Sequence, residues 1–224
     1  GRVSGPISDV QRVIGIDWAT KPANVGLCLA ERQGSKLKTL DLRLGSECSS
    51  PVAQIGDWIQ EFDGPVLLAL DAPLGWPHTM GSILHKHRAG EGIGVEANRF
   101  FRRTTDTFVW KQLGKLPLEV GADRIARAAL SGLDMLAELR ALTGEVIPTA
   151  WAPEETARVR VIEVYPAATL LGRGIGIRGY KRDSEEGRSR RLNISMELEE
   201  CLGLQAEHHQ RSQMVDHLLD AAVC

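Results

Sequence analysis

Acidic residues follow three of the apolar runs in this 224-residue sequence. The run 12–16 ends before Asp17, and the run 65–70 ends before Asp71. A third apolar stretch leads into Glu163. In open α/β sheets, ligand sites lie beyond the carboxyl ends of the parallel strands. If these three runs are neighbouring parallel strands, their acids converge at one edge of the sheet.

Carboxylates that converge in this way repel one another, and the repulsion raises their pKa values. A hard divalent cation relieves the repulsion, and a site built from oxygen ligands suits Mg²⁺ or Mn²⁺. Asp17, Asp71 and Glu163 are therefore candidate catalytic residues, and the two aspartates are candidate metal ligands. The alternative is that each acid caps a helix or forms part of a turn, which is the commoner role for a single aspartate at a strand end.

The C-terminal segment adds Asp216 and Asp220, which are spaced i,i+4 and therefore lie on one face of a helix. Like charges at this spacing destabilise a helix by roughly 0.2–0.5 kcal/mol, and a functional role would account for this unfavourable pair. Either residue is a candidate for a further catalytic carboxylate and metal ligand. A solvated acidic helix face is the alternative.

Hydrophobic patterning predicts the elements that carry these acids. Residues 36–44 alternate in the manner of a half-buried strand, and with the runs 12–16 and 24–30 they predict an antiparallel meander. The nearly unbroken apolar run 65–70 is typical of a strand buried on both faces, and 158–164 is rich in β-branched residues.

Ser50 and Pro51 mark the start of a helix, because serine is a good N-cap and proline suits the first turn. One or two helices are predicted over 122–142, and further helices over 166–172, 184–202 and from about 210 to the end. Residues 76–120 lack clear periodicity and are expected to form an insertion of loops and short helices. This order predicts one α/β domain over 1–224 with a mixed sheet.

Six segments together resemble a known family. The chain carries IGIDWA at 14–19, LDAPLG at 70–75, RRTTD at 102–106, IEVYP at 162–166, Tyr-Lys at 180–181 and DHLLDA at 216–221. These segments are similar to a family of domains of unknown function that is usually described as predicted RNase H-like nucleases. The resemblance extends from about residue 12 to residue 224, and LDAPLG and EVYP are its most specific parts.

The resemblance implies an RNase H-like fold, with a five-stranded mixed sheet flanked by helices. In that fold strands one to three are antiparallel, and strands one, four and five are parallel. Acids on the first strand, the fourth strand and the C-terminal helix bind two metal ions, which here implies Asp17, Asp71, and Asp216 or Asp220. Glu163 matches a family motif on the fifth strand, where it would orient a ligand water or complete a coordination shell.

The resemblance also implies a nuclease dependent on Mg²⁺ or Mn²⁺ that hydrolyses phosphodiester bonds of single-stranded or structured nucleic acid. Two ions about 3.5–4 Å apart would activate a water and stabilise the leaving oxygen. One alternative is a phosphohydrolase or phosphotransferase that acts on a nucleotide or another small phosphate. Another is a non-catalytic RNase H-like module for binding or regulation.

Candidate substrate-binding residues accompany the acids. Arg102 and Arg103 suit phosphate, because guanidinium forks pair with its oxygens, and Asp106 is grouped with them as a candidate. The alternative is that these arginines lie on the surface or pair with Asp106 in a structural role. Lys181 is a further basic candidate, with a solvated helix face of mixed charge as the alternative. Tyr165, like Tyr180, could stack on a base or could pack in the core.

Composition limits the possible partners. The net charge of −2 and the pI of about 6.3 argue against a dedicated duplex-DNA binder, which is usually basic. No apolar run approaches the ~20 residues that cross a bilayer, so no membrane association is expected. Four widely spaced cysteines without a Cys-x-x-Cys pair favour reduced thiols and a cytoplasmic location. The oligomeric state stays open.

Overall fold

The computed structural model describes residues 10–121, 123–152 and 156–224. Its centre is a five-stranded sheet in the order β3-β2-β1-β4-β5. The strands are β1 (Val10–Asp17), β2 (Gly26–Gln33), β3 (Lys36–Leu44), β4 (Val66–Asp71) and β5 (Val159–Glu163).

Strand directions follow the predicted pattern. β1 pairs with β2 and β2 with β3 in antiparallel fashion, whereas β1 pairs with β4 and β4 with β5 in parallel. The predicted meander and the predicted RNase H-like topology are both confirmed. The second strand starts later than predicted, because Pro22–Asn24 forms a 3₁₀ turn before Gly26–Gln33.

Helices flank both faces of the sheet. In chain order they are α1 (Pro51–Gln60), α2 (His78–Leu84), α3 (Ala97–Phe101), α4 (Thr104–Leu113), α5 (Asp123–Thr143), α6 (Pro166–Gly172), α7 (Glu185–Glu197), α8 (Glu199–Leu202), α9 (Ala206–Met214) and α10 (Asp216–Val223). The start of α1 is as predicted, since the Ser50 side chain accepts a hydrogen bond from the backbone N–H of Ala53.

One face of the sheet carries the main hydrophobic core, where α1 and α5 contact each other. Ile14 and Ile16 of β1 and Leu68 and Leu70 of β4 point into this core and are fully buried. Alternate residues of a strand face opposite sides. Gly15 and Asp17 of β1 therefore face the other side, where α10 packs on β1 and β2.

The strand register decides which acids share a face. In the parallel pairing Asp17 lies beside Asp71, whereas Glu163 lies beside Leu70. Residues that pair across parallel strands point to the same face, and a shift of one residue reverses the face. Asp17 and Asp71 therefore point to the α10 side, and Glu163 points with Leu70 to the α1–α5 side.

The C-terminal helices differ from the prediction. The helix expected over 184–202 is divided at Leu198 into α7 and α8. The single helix expected from about 210 to the end is also wrong, because Val215 has an extended backbone and separates α9 from α10. The extended residue changes the chain direction so that the apolar α10 can lie flat on the sheet.

The segment 76–120 contains α2, α3 and α4 with loops between them, as its weak periodicity indicates. Helix α4 contacts α6, which begins directly after β5, so this segment reaches the carboxyl edge of the sheet. Of the one or two helices predicted over 122–142, the described residues form a single helix from Asp123 to Thr143. The organisation as one domain with an insertion stays a prediction.

Candidate functional site

Three aspartates meet at the carboxyl edge of the central strands. Asp17 ends β1, Asp71 ends β4, and Asp220 lies on α10. One carboxylate oxygen from each residue lies within 4.8 Å of the others, an arrangement that could hold a metal ion. We refer to Asp17, Asp71 and Asp220 as the aspartate cluster.

Two glycines allow α10 to reach the sheet and deliver Asp220. A Cβ atom on Gly15 of β1 would lie 2.0 Å from the backbone oxygen of Ala221, and one on Gly26 of β2 would lie 2.1 Å from that of His217. Both distances are shorter than van der Waals contact. The helix backbone therefore rests directly on two strands, and any larger residue at either glycine would push Asp220 away from Asp17.

Burial and mutual repulsion perturb the aspartate cluster. Burial, followed by the charges of Asp17 and Asp220, raises the pKa of Asp71 from 3.8 to about 8. Burial also raises the pKa of Asp220 to about 6, although the charge of Lys181 opposes this rise. Positive charge at this point would stabilise the ionised carboxylates. The protein therefore contains a compact negative site whose charge is only partly balanced by its own residues.

Lys181 and Tyr180 contact Asp220 directly. The Lys181 Nζ atom lies 2.5 Å from Oδ2 of Asp220, and the Tyr180 hydroxyl donates a hydrogen bond of 2.9 Å to Oδ1. Burial by itself lowers the pKa of Lys181, but the Asp220 carboxylate outweighs it and the net pKa is raised. Tyr180 is 3% exposed, so it packs in the core and its ring is not open to a base.

His217 is a member of the site that the sequence reasoning missed. Its Nδ1 atom lies 2.6 Å from Oδ2 of Asp17, and this hydrogen bond raises the pKa of the imidazole. His217 precedes Asp220 by three residues, so both project from the same face of α10. That i,i+3 spacing was the available signal, because a face that carries one predicted ligand could have been searched for a second polar residue.

The structure separates the two candidate aspartates of the last helix. Asp220 belongs to the aspartate cluster, and Asp216 does not. Asp216 is the first residue of α10, half-buried and within electrostatic reach of Arg191. Which of the two binds a metal stays a prediction, but the geometry favours Asp220.

Glu163 is paired with an arginine. Both terminal nitrogens of Arg103 lie 2.7 Å from the Glu163 carboxylate, and Nη2 of Arg103 also lies 2.8 Å from Asp106. Glu163 accepts a further hydrogen bond from the backbone N–H of Leu74. We refer to Arg103, Asp106 and Glu163 as the arginine network. It links α4 to the end of β5 and to the loop after Asp71.

The arginine network explains the state of Arg103. Burial opposes its charge, but the hydrogen bonds that it donates to Glu163 and Asp106 outweigh burial and raise its pKa. The guanidinium is therefore committed to two carboxylates, in agreement with the alternative in which Asp106 pairs with a structural arginine. Arg102 forms a 3.4 Å ion pair with Glu119.

A cleft of about 640 Å³ opens beside the aspartate cluster, and we refer to it as the first cleft. Its lining includes Asp71, Lys181 and the half-buried Tyr165, together with Lys115 and Arg182. Half of the Lys181 side chain is exposed there. The predicted substrate-binding residues Tyr165 and Lys181 thus share a wall with a predicted metal ligand, while their roles stay predictions.

Comparison with known proteins assigns the chain to a family. A sequence model described as "Protein of unknown function (DUF429)" matches residues 15–224. The chain belongs to the DUF429 family. The matched residues include every member of the aspartate cluster and of the arginine network. No curated protein matches the chain.

The membership confirms the predicted family of domains of unknown function, and nuclease activity stays a prediction. Within the described part of this DUF429 protein, no helix combines the length and the apolar character needed to cross a bilayer.

Proposed function

We propose that this DUF429 protein is a nuclease that hydrolyses phosphodiester bonds with the help of divalent cations held by the aspartate cluster. The observation that carries the proposal is the convergence of Asp17, Asp71 and Asp220, with ligand atoms within 4.8 Å of one another. The convergence lies beyond the carboxyl ends of two parallel strands, where α/β sheets bind ligands.

The donor chemistry of the cluster fits Mg²⁺ or Mn²⁺. All three ligands are carboxylate oxygens, which hard divalent cations prefer. The raised pKa values of Asp71 and Asp220 mean that the ionised state lacks enough positive charge, which a cation would supply. Asp17, Asp71 and Asp220 would together hold the divalent cations. When bound, such ions supply an activated water and neutralise charge on the phosphate.

Neighbouring residues have separate roles in this proposal. His217 hydrogen-bonds to Asp17 and fixes the orientation of its carboxylate, as outer partners of metal ligands do. Lys181 is half exposed in the first cleft, so its ammonium can pair with a phosphate oxygen of the substrate. Arg103 acts indirectly, because it holds Glu163, which in turn accepts a hydrogen bond from Leu74 in the loop after Asp71.

A small phosphate compound is the second candidate substrate. The net charge of −2 does not favour a long polyanion, and a cleft of about 640 Å³ is of the size that encloses a small ligand. Lys181, Lys115 and Arg182 would bind the phosphate of a mononucleotide as well as that of a polymer. Nucleic acid remains our first proposal because the cleft is open at the surface, where a chain can pass.

The test is a cleavage assay with Mn²⁺ and labelled single-stranded DNA, RNA, RNA–DNA hybrid and branched DNA, with mononucleotides in parallel. Asp71→Asn protein, purified in the same way, detects a contaminating nuclease. Asp216→Asn is the matched control, because Asp216 lies on the same helix outside the aspartate cluster.

We expect wild type and Asp216→Asn to cleave at least one polymer, and Asp71→Asn to be inactive. Turnover of mononucleotides without cleavage of any polymer would transfer the assignment to the small-phosphate alternative. Equal cleavage by wild type and Asp71→Asn would assign the activity to a contaminating nuclease and leave the aspartate cluster without support.

A further inference from the structure

A second cleft of about 640 Å³ adjoins the first. The two share Thr105 and Val109 of α4 and the segment 163–165 that follows β5. Tyr165 thus stands between them. The far wall of the second cleft is built by residues 149–151, which pair alongside β5 through a parallel bridge between Thr149 and Val161.

Two exposed aromatic side chains line the second cleft. Phe108 on α4 is 63% exposed, and Trp151 is 77% exposed. Tryptophan is highly buried in most folded proteins, so a side chain this open is informative. Four threonines from the same lining add hydroxyl groups, namely Thr104, Thr105, Thr149 and Thr169.

The two clefts differ in charge. The first cleft contains Lys115, Lys181 and Arg182 in addition to the acids. Among the described residues that line the second cleft, Glu163 is the one charged side chain, and Arg103 neutralises it. The second cleft therefore suits a flat, uncharged group with polar edges, and the first suits the charged part of the same ligand.

The placement of the two clefts matches the two halves of a nucleotide. β4 with Asp71, β5 and the stretch 149–151 are successive neighbours across the sheet. Adjacent strands are about 4.8 Å apart, so the aromatic wall lies roughly 10 Å from the strand that carries Asp71. One nucleotide unit can bridge this distance, with its phosphate near the aspartate cluster and its base beyond Tyr165.

We propose that the second cleft is a nucleobase subsite, in which Phe108 and Trp151 stack on an unpaired base of the nucleic acid whose phosphate lies in the first cleft. The proposal rests on the nuclease function proposed above and specifies its substrate class. Base faces inside a duplex are already stacked, so this subsite selects single strands, unpaired junction bases or flipped nucleotides.

Binding of a fluorescein-labelled oligodeoxythymidine in EDTA tests the subsite without cleavage. The comparison ligands are an abasic oligomer with the same number of phosphates, a matched duplex and thymidine monophosphate as competitor. The variants are Phe108→Ala, Trp151→Ala and their double mutant. Trp110→Ala is the matched control, because Trp110 is 48% exposed on the same helix and lines neither cleft.

We expect wild type to bind the oligodeoxythymidine at least about tenfold more tightly than the abasic oligomer or the duplex. The double mutant should lose this difference and keep its affinity for the abasic oligomer, whereas Trp110→Ala should bind like wild type. Trp151→Phe should restore most of the loss, because it retains an aromatic ring.

Several results would overturn the subsite: no binding of the oligomer by wild type, equal affinity for the abasic strand, or full affinity in the double mutant. Base-dependent binding without metal-dependent cleavage would reject the nuclease proposal and keep the subsite. Metal-dependent cleavage by wild type, together with full affinity of the double mutant for the oligodeoxythymidine, would reject the subsite and keep the nuclease proposal. Competition by thymidine monophosphate at the oligomer's own affinity would identify a mononucleotide as the occupant.

Discussion

Asp71 and Glu163 both follow apolar strands at the same edge of the sheet, yet their charges are balanced in opposite ways. Glu163 forms two 2.7 Å contacts with Arg103 and accepts a hydrogen bond from Leu74. Asp71 lies among Asp17 and Asp220 and has a pKa of about 8. The Glu163 carboxylate is thus paired with a guanidinium inside the protein, whereas Asp71 has two further carboxylates as its neighbours.

The different surroundings of Asp71 and Glu163 follow from strand register, because Glu163 pairs with the residue before Asp71. Asp71 pairs beside Asp17, and Glu163 pairs beside Leu70, so the two acids project to opposite faces. Helix α10 adds a third aspartate beside Asp17 and Asp71, and the start of α4 adds an arginine beside Glu163. In the aspartate cluster Lys181 and His217 contact Asp220 and Asp17, and three carboxylates still converge where a further cation could bind. In the arginine network the guanidinium of Arg103 contacts both carboxylates.

The largest expected effect is the loss of cleavage when the aspartate cluster is changed. Asp71→Asn should reduce Mn²⁺-dependent cleavage on the order of 10²-fold or more, because it removes a ligand that positions charge at the reacting phosphate. The metal-free protein should keep or increase its melting temperature, since one of three mutually repelling carboxylates is gone. Steady-state cleavage and thermal unfolding in EDTA measure both quantities. Normal cleavage by Asp71→Asn would show that Asp71 is not needed as a metal ligand.

The affinity of the aspartate cluster for Mn²⁺ should depend on pH. Asp71 must lose its proton when a cation binds, so Mn²⁺ affinity should rise by up to about tenfold per pH unit as the pH approaches 8. Titration calorimetry in buffers of different ionisation enthalpy should detect the released proton. An affinity that is constant between pH 6 and pH 8 would mean that Asp71 is not a ligand.

Without metal, the same pKa shift acts on stability. The folded protein keeps the Asp71 proton up to about pH 8, whereas the unfolded chain releases it near 3.8. The folded state therefore binds more protons in this window, and the free energy of unfolding falls as the pH rises through it. Urea unfolding in EDTA at several pH values should show this fall, and it should be smaller in Asp71→Asn.

Glu163→Gln tests whether the arginine network stabilises the fold without binding the metal. We expect the free energy of unfolding to drop by about 2–3 kcal/mol, because the largely buried Arg103 loses one of its two charged partners. Mn²⁺ affinity, measured by calorimetry beside urea unfolding, should change much less than in Asp71→Asn, because Glu163 is the weakest of the charges that raise the pKa of Asp71. Glu186→Gln is the control, since its 4.0 Å contact with Arg182 is highly exposed and should contribute little. Loss of Mn²⁺ affinity with unchanged stability would show that Glu163 belongs to the metal site.

The smallest expected effect comes from the contact that brings α10 to the sheet. Gly15→Ala should cost about 1–2 kcal/mol of stability, because its methyl group would overlap the Ala221 carbonyl oxygen. It should also weaken Mn²⁺ binding, since Asp220 moves with the helix. Gly81→Ala is the control, because nothing lies within 4 Å of the added atom. Full Mn²⁺ affinity in Gly15→Ala would mean that Asp220 does not bind the metal.

Much of this protein follows from its sequence. Alternation over 36–44 and the apolar run 65–70 predicted strands that the structure contains, and Ser50 with Pro51 predicted the start of α1. Local patterns determine such elements because side-chain period and capping act within a few residues. The same patterns placed Asp17 and Asp71 at strand ends, and together with the family resemblance they predicted the mixed sheet.

Only the tertiary structure decided which charges meet. The separation of Glu163 from Asp71 depends on strand register, the selection of Asp220 over Asp216 depends on how α10 lies on Gly15, and the contact of His217 with Asp17 joins residues 200 positions apart. Register and helix approach are set by packing across the whole sheet. A linear sequence specifies each acid and its element, but the distances between acids exist only after these elements have packed.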